Sequence, residues 1–403
     1  MTSEATPDRV YVWIWLPGHT EPVVAGVLDP VGPLITFTYG RSYLARADAM
    51  PLYLPELPLR RGIQRPLDGL DVAGCIRDAA PDAWGQRVIL RGVYGREADG
   101  DDTARLPLFT YLIKSGSDRA GALDFQASAT DYKPRQTGGT LEELLTATER
   151  FETGEPLSPA IAEALLHGSS IGGARPKATL SDDGRSLIAK FSSTTDTYPV
   201  VKAEAIAMNL ARRTGVNVAS TELRQVHGKH VLLVERFDRT DVPGQRRMFV
   251  SALTILQLPE IAGRYATYYD LADIIRSRFT DRASTLRELF ARITFNVCVG
   301  NTDDHARNHA AFWDGEQLTL TPAFDICPQA RAGGEAAQAM AIARDGFRFS
   351  QLTGCVDAAK EYELSATEAR EIIDYQIDVI RNDWDQAADE ARLTAAERQS
   401  LWG

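Results

Sequence analysis

The stretch NTDDHARNH, Asn301 to His309, crowds carboxylates, amides and two histidines into nine residues. Such a cluster can bind a metal through its histidines, or it can handle phosphate through its carboxylates and amides. His305 and His309 stand four apart, so on one helix they would share a face. A zinc-hydrolase helix carries glutamate directly after its first histidine, and here that position is Ala306. Alanine cannot act as a general base, and Arg307 would set a fixed positive charge beside the cation. Zinc chemistry fails on these residues.

The phosphate reading fares better. Asp303 and Asn308 are five apart, the D-x-x-x-x-N spacing of a protein-kinase catalytic loop. The run HAAFWD–GEQ–LTLTPAF then predicts a hairpin that returns the chain to Asp325. One carboxylate would accept the proton of an attacking hydroxyl, while an amide oxygen and a second carboxylate hold magnesium on the phosphates. The plainer reading is that Asp303, Asp304 and Asn308 only cap and turn the preceding helix. Features upstream weigh against it. Gly172 and Gly173 precede a strand and offer backbone N–H groups to a phosphate, although GSSIGGARPK lacks Walker A spacing. Lys190 lies in the apolar strand LIAKF, either as an edge-strand gatekeeper or as a cation for phosphate. Glu204, read as lying in the first turn of the next helix, can pair with Lys190 or favour the helix N-terminus. Glu235 and Phe237, ending the run LLVERFDR, can line an adenine slot. Each piece is ambiguous, but their order along the chain is that of a phosphotransferase.

These residues need a scaffold. A chain of 403 residues, 44% hydrophobic, can bury a sizeable core in two or three subdomains. Its formal net charge of −11 makes it a poor candidate for gripping nucleic acid unaided, because that binding rests on neutralising phosphates. Cys75, Cys298, Cys327 and Cys355 are widely spaced without a CxxC pair, which points to reduced thiols in a cytoplasmic protein. The polar start MTSEATPDR resembles no signal peptide, and no apolar run reaches membrane-spanning length.

YVWIWL, VVAGVL and LITFTYG predict a small antiparallel sheet, followed by a helical stretch, VAGCIRDAAPDAWGQRVILRGVYG, with Pro81 at a helix start. The polar segment from Gln126 to Gly139 reads as a linker. Beyond it, Thr140 and Glu143 form a capping-box pattern, and Pro159 to Gly168 predicts a helix. KATL–SDDG–RSLIAKF predicts a hairpin, and a helix follows with Ala203, Ile206, Ala207, Leu210 and Ala211 on one face and Gly215 closing it. A second hairpin spans TELRQV to HVLLVERF. The remainder reads as helical apart from the hairpin at Trp313, with a second capping box at Ser365 and Glu368.

With the order of motifs in view, the sequence resembles the HipA-family serine/threonine kinases, toxins of bacterial toxin–antitoxin modules. The resemblance rests on SIGGARPKA, IAKF, VERFDR, NTDDHARNH and PAFD, and it extends to LPLRRG, DAAPDAWGQRV and SGSDRAGALDF, covering most of residues 10–376. It implies an α+β, two-lobed protein-kinase-like fold with an N-terminal β-rich subdomain and a helical C-lobe. The expected divisions are a disordered tail over 1–9, the subdomain over 10–126, a linker over 127–139, the kinase N-lobe over 140–240 and the C-lobe over 241–403.

The resemblance also implies ATP and Mg2+ as cofactors, with Asp303 as catalytic base and Asn308 and Asp325 as metal ligands. Lys190 would contact phosphates, with Gly172, Gly173, Ala174, Arg175, Pro176 and Lys177 covering them. Glu235, Arg236 and Phe237 would hold adenine, and His305, Ala306, Arg307 and Phe324 would complete the nucleotide contacts. Two positions depart from the pattern, with Asp304 where the family often has glycine and Arg307 where it often has lysine. Arginine still pairs with phosphate, and bidentately. Ser170, or its neighbour Ser169, matches a serine that family members autophosphorylate. The implied partners are a small helix-turn-helix, HipB-like antitoxin and a protein substrate, an aminoacyl-tRNA synthetase. DNA would be met only through the antitoxin, and no membrane is involved. A small-molecule phosphotransferase on the same fold and an inactive antitoxin-binding corepressor are the alternatives, and ATP turnover separates the second from both kinases.

Overall fold

The computed structural model of the chain describes residues 7–95, 103–135, 139–168, 173–329 and 335–402. Its first sheet has the order β3-β2-β1-β4 and is antiparallel, from β1 (Val10–Ile14), β2 (Val23–Val31), β3 (Leu34–Tyr39) and β4 (Leu123–Gln126). Strand β4 comes from the ALDF run, distant in sequence, and local periodicity does not announce it. Of the tail expected over 1–9, residues 1–6 lie outside the described residues, and Arg9 pairs with Asp29 at 2.7 Å.

Between β3 and β4 run α1 (Arg41–Leu44), α2 (Gly74–Asp78), α3 (Ala83–Tyr94) and α4 (Leu108–Lys114). Pro81 precedes α3 rather than opening it, because Asp82 intervenes as an extended N-cap. Within the expected linker, residues 127–135 have no regular secondary structure yet are tied back to β4. Tyr132 donates to Asp124 at 3.1 Å, and Arg135 donates to Asp124 at 3.1 Å and to the Phe125 carbonyl at 2.8 Å.

The capping box of Thr140 and Glu143 opens α5 (Leu141–Glu152), and α6 (Pro159–Gly168) follows. The second sheet has the order β5-β6-β8-β7, from β5 (Lys177–Asp182), β6 (Arg185–Lys190), β7 (Thr221–Val226) and β8 (Lys229–Glu235). Both of its hairpins close on two residues with positive φ, Asp183 and Gly184 (48° and 75°), then His227 and Gly228 (48° and 79°). That backbone matches the twist of the flanking strands, which is why Asp-Gly is a strong hairpin signal. Helix α7 (Val200–Arg213) lays its expected apolar face on this sheet.

The last block is mainly helical: α8 (Ala252–Ile255), α9 (Tyr268–Arg278), α10 (Arg282–Val299), α11 (Leu352–Asp357), α12 (Ala366–Glu390) and α13 (Ala395–Leu401). It holds a third sheet of order β11-β10-β9, in which the hairpin β10 (Ala310–Trp313) and β11 (Leu318–Leu320) gains β9 (Phe249–Ser251) as a partner. A single contiguous core joins the first sheet to this block, running from Val12, Phe37 and Phe125 to Phe290, Ile293 and Tyr362. The C-terminus reaches back to α7, where the buried Lys202 ammonium donates to both oxygens of Glu397 (3.0 and 2.9 Å) and to the Arg392 carbonyl at 3.0 Å. Among the described residues, no helix is long and apolar enough to cross a membrane.

A buried ion network fastens the first subdomain to the second sheet. The Arg236 guanidinium, just after β8, holds both oxygens of Asp238 (3.0 and 2.8 Å), the Asp118 carboxylate (2.8 Å) and the Arg119 carbonyl (2.5 Å). Arg239 meets Asp118 at 2.7 Å, and Gly121 donates its N–H to Asp238 at 2.7 Å. Burial alone would raise the Asp238 carboxyl, but Arg236 and Arg239 outweigh it and hold it below the usual carboxylate range. Removing one partner strands a buried charge, so Arg236→Met is expected to lower the unfolding free energy by about 3–5 kcal/mol. Denaturant midpoints measure this. Because the Asp238 pKa is depressed on folding, the network's stabilisation is present above the unfolded carboxylate pKa and fades as pH falls through the folded one. The variant should therefore show a shallower acid dependence than wild type.

Candidate active site

Helix α10 ends at Gly300, whose φ of 71° turns the chain, and Asn301 closes the turn with its N–H on the Asn296 carbonyl at 2.9 Å. The two adjacent aspartates then take opposite roles. Asp304 is buried, accepting from Tyr268 Oη at 2.6 Å and Asn296 Nδ2 at 2.8 Å, and paired with His309 Nε2 at 2.8 Å. Burial would raise its carboxyl, but His309 and Tyr268 outweigh this and hold it low. The Asp304 carboxylate thus nails the loop to α9 and α10. His309 is occupied by Asp304, and among the described residues no group of three or more His, Cys, Asp or Glu side chains is arranged for a metal.

Asp303 instead faces outward at the site. Partial desolvation raises its carboxyl, Asp325 and Asp304 add to the rise, and His305 opposes it. Asn308 is buried, its Nδ2 directed at the Asp303 carbonyl at 3.3 Å, which leaves its Oδ1 for a cation. Ala306 is buried between them. Arg307 is gripped on two edges, by Glu260 at 2.9 and 2.5 Å and by Asp82 at 3.1 Å.

The β10–β11 hairpin brings the chain back to Asp325. Ala323 is held in a two-way exchange beside β7, donating to the Asn217 carbonyl at 2.7 Å and accepting from Ala219 N–H at 2.9 Å. Asp325 has a φ of 60°, a left-handed conformation that Asp tolerates better than most residues and that accumulates at functional sites. Its carboxylate meets the Lys190 ammonium, which also donates to Glu204.

Lys190 does not guard an edge. Strand β6 lies between β5 and β8, and Lys190 stands opposite Lys177 in register. Like charges on paired positions repel, so two lysines here require anions. Asp325 and Glu204 supply them. Burial would lower the Lys190 pKa, but the two carboxylates outweigh it and keep the ammonium charged; burial lowers that of Lys177. Burial likewise raises the Asp325 carboxyl less than Lys190 and Lys177 depress it, so it stays ionised. Glu204 lies one turn inside α7, which begins at Val200, so its place is to meet Lys190 rather than to complement the helix N-terminus.

The glycine-rich segment rests on α3. Gly173 donates its N–H to Asp82 Oδ2 at 2.6 Å and accepts from Trp84 N–H at 3.1 Å. Arg87 donates to the Ala174 carbonyl at 2.9 Å, and Trp84 Nε1 to the Lys177 carbonyl at 3.0 Å. Arg175 pairs with Asp196, and the Pro176 carbonyl accepts from Phe191 N–H at 3.0 Å. Ser169, Ser170 and Gly172 lie outside the described residues.

The VERFDR run splits. Phe237 meets Phe324, Phe249 and Phe312 with ring centroids 5.5, 5.6 and 5.8 Å apart, forming an aromatic wall directly before Asp325. The Glu235 side chain is exposed, and Arg236 is turned into the first subdomain. The structure thus gathers Lys177, Lys190, Asp303, Asn308 and Asp325, with Phe237 and Phe324 nearby, and directs the side chains of Glu235 and Arg236 elsewhere. Sequence reasoning missed Asp82 and Glu260, which hold Arg307, and Tyr268 and Asn296, which hold Asp304. The local signal for Asp82 was an aspartate directly after Pro81 at an expected helix start; that it leaves its own helix uncapped shows only in the structure. Asn308 and Asp325 offer hard oxygen donors of the kind magnesium takes together with phosphate oxygens.

Comparison with known proteins identifies relatives of the chain. Residues 169–384 match the family model of the HipA-like C-terminal domain. The chain is 26% identical over 324 residues to Y4mE of Sinorhizobium fredii, provisionally named a kinase, covering 72% of this chain and 71% of that one. It is 25% identical over 183 residues to the serine/threonine-protein kinase toxin HipA of Shewanella oneidensis, covering 39% and 42% of the two chains. The solved structure of Shewanella oneidensis HipA with HipB and operator DNA superimposes with a TM-score of 0.65 at 19% identity, over 97% of this chain and 94% of that one. That likeness fixes the architecture as the α+β, two-lobed kinase-like fold. With the family model spanning more than half of its length, the chain belongs to the HipA family.

Proposed function

We propose that this chain is an ATP- and magnesium-dependent serine/threonine protein kinase acting as the toxin of a toxin–antitoxin module. One observation carries the reading: Lys190 on a central strand is bridged to Glu204 on α7 and to Asp325 after the hairpin, beside an exposed Asp303. A kinase needs a strand lysine paired to a helix glutamate, and a metal-binding aspartate that meets it. A binding module needs neither.

In the proposed reaction, Asp303 accepts the proton of a serine or threonine hydroxyl. Desolvation raises its carboxyl pKa, which makes it a stronger base than an ordinary aspartate. Lys190 and Lys177 face the phosphates, and Phe237 and Phe324 flank the adenine. Asn308 Oδ1 and the Asp325 carboxylate would hold magnesium, which when bound would supply positive charge against the phosphates. The target class is an aminoacyl-tRNA synthetase, as the family resemblance implies. The partner is a small helix-turn-helix antitoxin, in keeping with the HipB that accompanies the Shewanella HipA in its solved complex. At a net charge of −11, this chain would meet operator DNA through that partner. Ser170, with Ser169, is the proposed site of autophosphorylation, where a phosphate would repel the phosphates of ATP.

The purified chain should bind Mg-ATP and transfer phosphate. Folded protein that binds antitoxin without ATP turnover would instead be a non-catalytic corepressor. Asp303→Asn keeps the side chain's shape and removes the proton acceptor, so phosphoryl transfer should fall about 10²–10⁴-fold with ATP affinity retained. Activity retained in that variant would move the base elsewhere.

The pH profile carries a separate sign. A base must be deprotonated, so wild-type activity should decline as pH falls through an ionisation above the ordinary aspartate value of about 3.9. The residual activity of Asp303→Asn should lack that limb.

Incubation with ATP and magnesium should add phosphate to Ser170 or Ser169 as activity declines, and Asp303→Ala should remain unmodified. Peptide mass spectrometry on both proteins reads this, and unmodified serines in an active enzyme would remove self-silencing.

A further inference from the structure

We infer that Asp82, in the N-terminal subdomain, is a positioning residue of the nucleotide site that joins the glycine-rich segment to the catalytic loop. The inference rests on the kinase reading. Asp82 occupies the N-cap of α3, where an aspartate normally accepts N–H groups of its own first turn. Here it makes no such bond. One carboxylate oxygen takes the Gly173 N–H at 2.6 Å and the other takes Arg307 Nη1 at 3.1 Å. Local capping is forgone for two contacts 91 and 225 residues away in sequence.

The rest of α3 makes the same connection. Trp84 and Arg87 bind carbonyls of Gly173, Ala174 and Lys177, so the helix holds this segment along its length. Gly173 has a φ of 117°, and a Cβ there would run into the Lys177 ammonium, so the segment's backbone and the Lys177 head group are set together. Arg307 is the rigid spacer on the other side. Its planar fork takes Glu260 on one edge and Asp82 on the other. The Asp82 carboxylate therefore ties the glycine-rich segment, which Trp84 and Arg87 also hold, directly to the loop that carries Asp303 and Asn308. Gly173 becomes a fastening point, its N–H claimed by the protein, and the phosphates are left to Lys177, Lys190 and donors further along.

Calorimetric titration of wild type, Asp82→Ala and Asp82→Asn with Mg-ATP, Mg-ADP and adenosine tests this, with thermal midpoints recorded alongside. Losing two charge-assisted contacts should weaken Mg-ATP binding of Asp82→Ala by roughly tenfold or more, with adenosine binding unchanged. Asp82→Asn retains an acceptor for Gly173 but not the charge facing Arg307, and should fall between. Combining Asp82→Ala with Arg307→Met should cost less than the product of the single effects, because both break one joint. Equal Mg-ATP affinity in wild type and Asp82→Ala would overturn the assignment. So would tighter binding in the variant, which would make the carboxylate a competitor of phosphate, or parallel losses for ATP and adenosine with a lowered midpoint. Should Asp82→Ala fail to fold, the isosteric Asp82→Asn carries the test. Failure of wild type itself to bind Mg-ATP would instead strike the kinase reading.

Discussion

The site depends on one ammonium. Lys190 sits on the middle of a sheet directly across from Lys177, an arrangement that repels itself and would be costly to bury unpaired. It is tolerated because carboxylates arrive from two other regions, Glu204 from helix α7 and Asp325 from the end of the β10–β11 hairpin. Each must be delivered. Helix α7 is clamped between the second sheet and the C-terminal helices, partly through Lys202 and Glu397, while Ala323 forms an isolated bridge beside β7. Strand, helix and hairpin are positioned by separate packing, and the ion triad is where their positions must agree.

The N-terminal subdomain belongs to this arrangement rather than hanging from it. Its sheet shares a core with the C-lobe helices. Arg236 leaves the end of β8 and buries its guanidinium among Asp118, Arg119 and Asp238, so the strand that follows Lys190 in the sheet is tied to the subdomain within a few residues. Helix α3 does the same for the glycine-rich segment. The two hydrogen-bonded seams meet opposite ends of the second sheet, which leaves little freedom for that sheet to move independently of the subdomain.

How much of this could be read from sequence follows from the range of the interactions. Both hairpins were legible as pairs of strands around a short glycine-bearing turn, although the first turn was read as SDDG and is two residues, Asp183 and Gly184. Capping boxes at Thr140 and Ser365 were legible too, since Glu143 and Glu368 lie one turn away. Strand β9 pairing with β10, and β4 with β1, were not, because their partners are remote and three- or four-residue strands carry little period. The site divides similarly. D-x-x-x-x-N exposed the loop and marked Asp303 by its spacing to Asn308, but nothing local showed that Asp304 anchors the loop, a role that depends on the remote Tyr268 and Asn296 as well as on His309. Nor does VERFDR reveal that Arg236 faces the subdomain while Phe237 faces Phe324.

Three cationic side chains around the site share a further property: they are already matched. Lys190 has Glu204 and Asp325, Arg307 has Glu260 and Asp82, and Arg175 has Asp196. In an acidic chain this self-neutralisation has a consequence for the proposed ligand. A phosphate arriving alone would compete with the carboxylates for Lys190 and leave Asp325 with less counter-charge in a half-buried site, which is disfavoured. A divalent cation arriving alone would take Asp325 and leave the two facing lysines with less counter-charge. Arrival of both exchanges partners without stranding either, the cation going to Asp325 and the phosphates to Lys190 and Lys177. On the kinase reading, the ion pairs of the resting site therefore favour metal and nucleotide together over either one, and the preference arises from protein charges alone, before any direct bond between metal and phosphate is counted.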